Sequence, residues 1–99
     1  CPLGPHLVTL DEIGDPDALK MVLTLNGAER QNSSTAKMVY KVADLVSWWS
    51  NTTLQPGDVI TTGSPPGVIA GMRDTPYLAP GDRIDARVDT LGTLTTFIV

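Results

Sequence analysis

The sequence is poor in the residues that build metal centres and acid–base sites. Its 99 residues include one cysteine and one histidine. The single Cys1 excludes an internal disulfide, offers no pair with zinc-type spacing and favours a reducing compartment such as the cytoplasm. The single His6 would have to serve every possible catalytic triad. Because it lies between proline and leucine, we interpret it as a half-buried residue rather than a catalytic base.

Positive charge and long apolar runs are also scarce. Seven lysines and arginines stand against eleven aspartates and glutamates, so the formal net charge is −4, which excludes a basic nucleic-acid-binding protein as the default class. No run approaches the ~20 apolar residues of a membrane span, and the chain does not start like a signal peptide. With 41% hydrophobic and 18% charged residues, the composition is globular. We therefore expect one soluble cytoplasmic domain or a part of one.

The carboxylates are scattered along the chain rather than clustered. The closest spacing is Asp15-Pro16-Asp17, which we interpret as a turn-forming Asp-Pro with a solvated neighbour, because aspartate favours turns before proline. Asp58 and Asp82 each follow Pro-Gly and are expected to accept hydrogen bonds from turn amides. No self-contained metal site is predicted from these positions.

Alternating apolar residues predict β-strands. Apolar residues occupy positions 19, 21, 23 and 25, with Lys20 and Thr24 on the other face, and the Asn26-Gly27 pair that follows is typical of a type I′ turn. Residues 28–31 are therefore expected to return as the second strand of a hairpin. The same period of two recurs near the end of the chain. The predicted strands are 7–10, 19–25, 28–31, 59–62, 83–88 and 93–99.

One helix and one long loop complete the prediction. Residues 42–51 carry apolar side chains at i, i+3, i+4 and i+7, which predicts an amphipathic helix whose apolar stripe packs on a sheet. Residues 63–81 are rich in glycine and proline and favour a long functional loop. Residues 93–99 are uncharged, so an open edge there would invite pairing, and we expect another segment to cover it. The predicted fold class is mainly β or α+β.

Five separated motifs together resemble the fumarylacetoacetate hydrolase family. Residues 54–68 read L-Q-P-G-D-V-I-T-T-G-S-P-P-G-V and are similar to the family pattern L-x-P-G-D-V-I-x-T-G-T-P-x-G-V. Residues 1–9 resemble its C-P-L-G-P-W-L-V-T, and residues 22–38 resemble its strand, N-G turn and R-Q-D-S-N-T-S-D-M-I-F segment. The resemblance continues in L-x-P-G-D at 78–82 and L-G-T-L at 91–94. It covers essentially all 99 residues.

The resemblance implies a Mg²⁺- or Mn²⁺-dependent enzyme that acts on oxo-acids or β-diketones by C–C bond hydrolysis, decarboxylation or isomerisation. In the family, the metal carboxylates and a lysine precede the C-P-L-G-P motif, with which this chain begins. Residues 1–99 therefore resemble the C-terminal segment of one catalytic domain, a portion of its mixed β-roll with one amphipathic helix. No metal ligand and no catalytic residue is assigned to the chain itself.

The resemblance also implies substrate-binding positions. Ser64 stands at the second threonine of the family's T-G-T-P loop, which is similar to loops that hydrogen-bond a substrate carboxylate or oxyanion. Serine keeps the hydroxyl donor. Gly63 and Gly67 are expected to let the backbone approach the ligand closely. A stiff structural connector is the alternative interpretation of this loop.

Four departures from the family pattern, besides Ser64, bear on the interpretation. Pro66 replaces a small or polar residue, and His6 replaces tryptophan. Asn32 and Lys37 replace two acids of the R-Q-D-S-N-T-S-D segment. The hydrogen bonds that the two acids make in the family are therefore not expected in this chain. We expect the segment to lie at a subunit interface rather than at the metal.

Two main hypotheses follow. The first is an enzyme segment that is inactive alone and acts on a small oxo-acid beside the complementary N-terminal segment, within a homo-oligomer of completed protomers. The second is a non-catalytic β-rich scaffold or regulatory subunit that retains part of the fold; the missing metal ligands favour it if the chain is complete. A dimerisation module is a third possibility, but it explains the loop at 63–67 poorly.

Overall fold

A four-stranded antiparallel sheet forms the centre of the protein. The computed structural model describes residues 1–73 and 75–99. The strands are β1 Lys20–Leu25, β2 Ala28–Ser34, β3 Arg83–Val88 and β4 Gly92–Phe97. They lie in the order β2-β1-β3-β4, so β2 and β4 are the two edges. Every neighbouring pair is antiparallel. The predicted α+β class is confirmed.

The helices of the described ranges are short. Helix α1 spans Leu10–Ile13 and helix α2 spans Val42–Trp49. Two 3-10 turns lie at Thr35–Lys37 and Ile69–Gly71. None of these helices has the length and apolar content that crossing a membrane requires.

The β1–β2 hairpin turns where the sequence predicts. Asn26 and Gly27 have φ values of 50° and 82°, the left-handed conformation that a type I′ turn requires at both positions. The Asn26 backbone N–H donates to the Arg83 carbonyl at 2.8 Å, and its side-chain oxygen accepts from the Arg83 N–H at 2.9 Å. These two bonds tie the hairpin turn to the start of β3.

One face of the sheet is apolar. Alternate residues of β1 lie beside alternate residues of β3, and side chains opposite each other in an antiparallel ladder point to the same side. The pairs on this face are Met21 with Val88, Leu23 with Ala86, and Leu25 with Ile84. The loop that follows α2 crosses this apolar face.

The apolar face is only partly covered. No side chain in residues 1–70, 72–73 and 75–99 is buried. The accessible surface is 7642 Å², whereas a compact monomer of this mass exposes about 5,400 Å². The radius of gyration is 15.0 Å, compared with about 13 Å for a compact domain of this length. The chain therefore forms a sheet without a closed hydrophobic core.

Helix α2 differs from the prediction in length and packing. It ends at Trp49, two residues earlier than predicted. Its apolar stripe was expected to pack on a sheet, but no residue of the helix is buried, and Val46 and Trp49 stay 45% and 47% exposed. The neighbouring Trp48 is 72% exposed.

The start of α2 is held by a long-range hydrogen bond. The Asp17 carboxylate accepts from the Val42 N–H at 3.1 Å, and one of the unpaired donors of the first helical turn is thereby satisfied. Asp15 forms the predicted turn, because its carboxylate accepts from the Asp17 N–H at 2.9 Å. The prediction of a solvated Asp17 is wrong, since its side chain anchors a helix 25 residues away.

Two predicted strands are absent from the described ranges. Residues 7–10 contain no strand, because the chain enters α1 at Leu10. Residues 59–62 form no ladder, so they lack the neighbouring strand that would pair their backbone groups. The loop at 63–81 is confirmed as mostly irregular, with one 3-10 turn; residue 74 of this loop lies outside the described residues.

The two Pro-Gly-Asp turns share one hydrogen-bonding pattern, as predicted. The Asp58 carboxylate accepts from the Gln55 N–H at 2.8 Å, and the Asp82 carboxylate accepts from the Ala79 N–H at 2.8 Å. Asp82 also accepts from the Asn26 side-chain amide at 2.8 Å. The bond from Ala79, and then the bond from Asn26, lowers the pKa of Asp82, because both stabilise its ionised form.

Replacing Asp82 is expected to reduce stability mainly at neutral pH. Since its folded pKa is lowered, ionised Asp82 contributes stability above the unfolded pKa of about 3.9, and that contribution is lost as the pH falls through the folded pKa. In thermal unfolding of the complete protein, Asp82→Asn should lower Tm near pH 7, and its difference from the native protein should shrink below about pH 4. Asp89→Asn, at the opposite end of β3, is the matched control. A Tm difference that does not change with pH would contradict the prediction.

Candidate functional site

The loop around Ser64 borders a cavity of about 430 Å³, which we call the Ser64 cavity. The lining also includes residues 33–35 and 37–40, which form the end of β2 and most of its connection to α2. Ser64 lines the cavity and is exposed to solvent there. The polar side chains of the lining include Ser33, Thr35, Lys37, Tyr40, Thr62 and Ser64. The cavity is therefore rich in hydroxyl groups that can donate hydrogen bonds.

Two contacts fix the loop to strand β2. The Gln31 side-chain amide donates to the Pro65 carbonyl at 3.0 Å. Gly67 has φ 107°, and a Cβ placed on it would overlap the Arg30 carbonyl oxygen and lie 2.9 Å from the Gln31 side chain. Only glycine allows both the positive φ and the close backbone approach. The loop is thus pinned at the two residues on either side of Pro66.

Gly67 lines a second cavity rather than the Ser64 cavity. This second cavity has a volume of about 300 Å³ and lies further along the same apolar face. Its lining includes Leu23, Leu25, Ile69, Leu78 and Ile84, and we call it the Leu23 cavity. The sequence interpretation gave Gly67 the role of letting the backbone approach a ligand. In the structure, the backbone that Gly67 approaches is that of β2.

Gly63 has open space around it. Its φ is 90°, and no atom lies within 4 Å of the position that a Cβ would occupy. Gly63 lines the Ser64 cavity and directly precedes Ser64. The structure thus leaves space beside the backbone at Gly63, and its role in binding a ligand stays a prediction.

The segment of residues 33–40 is held by side-chain to backbone hydrogen bonds. The Ser34 hydroxyl accepts from the Ala36 N–H at 3.2 Å and caps the 3-10 turn. The Thr35 hydroxyl oxygen accepts from the Leu19 N–H at 2.9 Å. The Lys41 ammonium donates to the Ala36 carbonyl at 2.9 Å. These contacts hold the backbone of the 3-10 turn, and residues 37–40, which end the turn and follow it, line the cavity.

Sequence reasoning did not place Lys37 or Tyr40 beside Ser64. Both residues line the cavity, and Tyr40 is 67% exposed there. The available signal was the replacement of an acid of the family pattern by Lys37. It could not place these residues, because the segment and the loop are separated by more than 20 residues.

The described residues do not fit a divalent metal ion. Within residues 1–73 and 75–99, no group of three or more histidine, cysteine, aspartate or glutamate side chains is close enough to hold one. Several carboxylates already accept backbone N–H groups, as Asp17, Asp58 and Asp82 do. His6 is exposed, and its interpretation as a half-buried residue is therefore wrong.

A family model described as fumarylacetoacetate (FAA) hydrolase C-terminal matches residues 1–99. The chain belongs to the fumarylacetoacetate hydrolase family. An uncharacterised protein of Staphylococcus haemolyticus is 42% identical over 99 residues, which are 99% of this chain and 33% of that protein. The chain thus spans about a third of the length of the curated relatives it matches.

Solved structures of the fumarylacetoacetate hydrolase family have the same fold. The fumarylacetoacetate hydrolase of Exiguobacterium antarcticum superposes with a TM-score of 0.93 at 39% identity, over 99% of this chain and 35% of that chain. The fumarylpyruvate hydrolase of Pseudomonas aeruginosa, solved with Mn²⁺ and pyruvate, gives a TM-score of 0.77 at 31% identity, over 91% of this chain and 36% of that chain. Other similar structures are described as hydrolases and isomerases.

Replacing Gly67 is expected to loosen the loop and destabilise the protein. A positive φ costs an alanine about 1–2 kcal/mol, and the overlap with the Arg30 carbonyl adds about 1–3 kcal/mol. Gly57→Ala is the matched control, because Gly57 has φ 97° and open space at the Cβ position. Denaturant unfolding of the complete protein should show a clearly larger loss for Gly67→Ala than for Gly57→Ala. Equal losses would mean that the loop is not pinned at Gly67.

Proposed function

We propose that this chain is the C-terminal segment of a divalent-metal-dependent enzyme that acts on oxo-acid or β-diketone substrates. The reaction would be C–C bond hydrolysis, decarboxylation or isomerisation, and the chain would be active only with the complementary N-terminal segment. The observation that carries the proposal is the Ser64 cavity, which offers donors for an anion but contains no carboxylate in its lining. The fumarylpyruvate hydrolase solved with Mn²⁺ and pyruvate supports an oxo-acid as the ligand class.

The exposed surface supports a covering segment. The chain exposes roughly 2,200 Å² more than a compact monomer of its mass. This excess exceeds the ~800 Å² that one partner buries in a standard protein–protein interface. An excess of this size is typical of one part of a domain whose core is shared with another part. The apolar faces of the sheet and of α2 are where we expect the complementary segment to pack.

The residues of this chain would bind and orient the substrate. The Ser64 hydroxyl would donate a hydrogen bond to a carboxylate or developing oxyanion, and the open backbone at Gly63 would allow close approach. Because the loop is pinned to β2 at Pro65 and Gly67, the donor needs little rearrangement when the substrate binds. The ligands of Mg²⁺ or Mn²⁺ would come from residues outside this chain.

The proposal also places the assembled enzyme in the cytoplasm, as a homo-oligomer of completed protomers. The lone exposed cysteine is in keeping with a reducing compartment. Strand β4 is an edge of the sheet and contains no charged residue, so its backbone is available for pairing with another segment or subunit.

A non-catalytic scaffold or regulatory subunit is the second candidate. The observation that favours it is that the described residues contain no metal-binding cluster. The two candidates differ in what the complementary segment adds. An enzyme segment becomes active when metal ligands are supplied beside it, whereas a scaffold stays inactive.

The deciding experiment uses the complete protein, or this chain bound to the complementary N-terminal segment. Calorimetry should detect binding of Mg²⁺ or Mn²⁺, and an absorbance assay should detect turnover of an acylpyruvate or a related oxo-acid. A folded, metal-loaded assembly that is inactive towards all such substrates would reject the enzyme proposal and leave the scaffold.

Replacing Ser64 is expected to weaken substrate binding. Loss of one hydrogen bond to a charged group should cost roughly 1–2 kcal/mol, so Ser64→Ala should lower kcat/KM about 5- to 30-fold in steady-state kinetics. Ser64→Thr keeps the hydroxyl and should retain activity. Ser47→Ala, on α2 and outside the cavity lining, is the control. An unchanged kcat/KM in Ser64→Ala would remove Ser64 from the site.

A further inference from the structure

Lys37 is the one charged residue in the described lining of the Ser64 cavity. The rest of that lining is hydroxyl-bearing or apolar, and no aspartate or glutamate belongs to it. The whole chain, in contrast, has a formal net charge of −4. A positive charge without an acidic neighbour in the same cavity favours an anionic ligand group there.

The Lys37 ammonium is not engaged elsewhere in the described part of the chain. Its side chain forms no ion pair and no hydrogen bond there, whereas the ammonium of nearby Lys41 donates to the Ala36 carbonyl. Lys37 ends the 3-10 turn that Ser34 caps, so its backbone position is set by local hydrogen bonds. The side chain itself is exposed and can reach a ligand in the cavity.

The charge at this position is reversed relative to the family segment that residues 30–38 resemble. Where that pattern has an acid, this chain has Lys37. An acid in the wall of the cavity would repel a second anionic group of a ligand, and a lysine attracts it. A lysine in the cavity lining therefore favours a ligand that carries a second anionic group.

We propose that Lys37 is a specificity-determining residue, whose ammonium binds a distal carboxylate of the substrate while Ser64 binds its oxo-acid end. The inference rests on the proposed function for the identity of the oxo-acid end. A cavity of about 430 Å³ has the size of a small-molecule site. The preferred substrates are oxo-acids with a second carboxylate at the far end of the chain.

The test compares two ligands that differ only at the distal end. 2-Oxoadipate and 2-oxohexanoate have the same carbon chain, but only 2-oxoadipate carries the distal carboxylate. In calorimetric titrations of the complete protein, 2-oxoadipate should bind about tenfold more tightly, the effect of one charge-assisted hydrogen bond. Lys37→Gln should remove that preference and leave the Kd of 2-oxohexanoate unchanged.

Three further variants separate charge in the cavity from charge in general. Lys37→Arg should retain the preference, and Lys37→Asp should reverse it. Lys20→Gln removes the same charge from an exposed position outside the cavity lining and should leave the preference intact. Circular dichroism and Tm identify any variant that does not fold. If Lys37→Gln does not fold, the comparison of Lys37→Arg with Lys37→Asp tests the same charge.

The outcomes for Lys37 and for the proposed function are distinguishable. Equal binding of the two ligands by the native protein, or a preference that survives in Lys37→Gln, would overturn the inference. A Lys37-dependent preference without turnover of any oxo-acid would support the inference on binding and reject the enzymatic proposal. Turnover of an oxo-acid without a Lys37-dependent preference would support the enzymatic proposal and overturn the inference on Lys37. A Lys37-dependent preference should also weaken with added salt, because salt screens the attraction.

Discussion

The close approach of Gly67 to the backbone of β2 is the contact on which the rest of the site depends. Because Gly67 has no side chain, the loop lies against the Arg30 carbonyl, and the Gln31 side chain then reaches the Pro65 carbonyl at 3.0 Å. The loop thereby separates the Leu23 cavity from the Ser64 cavity. A larger residue at this position would overlap the Arg30 carbonyl, so the loop could not keep this position. The position of Ser64 is thus a consequence of sheet packing and not only of the T-G-S-P sequence.

The local parts of the fold are predictable from sequence. The type I′ turn at Asn26-Gly27 depends on adjacent residues, and the backbone N–H groups that Asp58 and Asp82 accept within their turns lie three positions away. Strand β3 follows from its own alternation of polar and apolar residues. The predictions that fail are those that need a neighbour distant in the chain. Residues 59–62 were expected to find a partner strand, and α2 was expected to lie on a sheet.

The same distinction explains which parts of the site could be predicted. Ser64 and Gly63 belong to one motif, so a resemblance in that motif is enough to select them. Gly67, in contrast, is constrained by its close approach to β2, and Lys37 lines the same cavity as Ser64 only because the fold brings two distant segments together. Asp17 was misinterpreted for the same reason, because its partner Val42 lies 25 residues away. Composition and spacing carry no information on such pairs.

Net charge is a poor guide to the ligand of this protein, because the acidic and basic groups are distributed unevenly. The Asp58 and Asp82 carboxylates accept hydrogen bonds from backbone N–H groups within tight turns, and the Asp17 carboxylate accepts one from the N–H at the start of α2. These local donors partly compensate the negative charge of the three carboxylates. At physiological ionic strength, charges further than about 8 Å apart are largely screened. We therefore expect a ligand in the Ser64 cavity to respond to Lys37 and the surrounding hydroxyls more than to the net charge of the chain. An acidic protein can in this way bind an anion at a site whose own walls contain no acid.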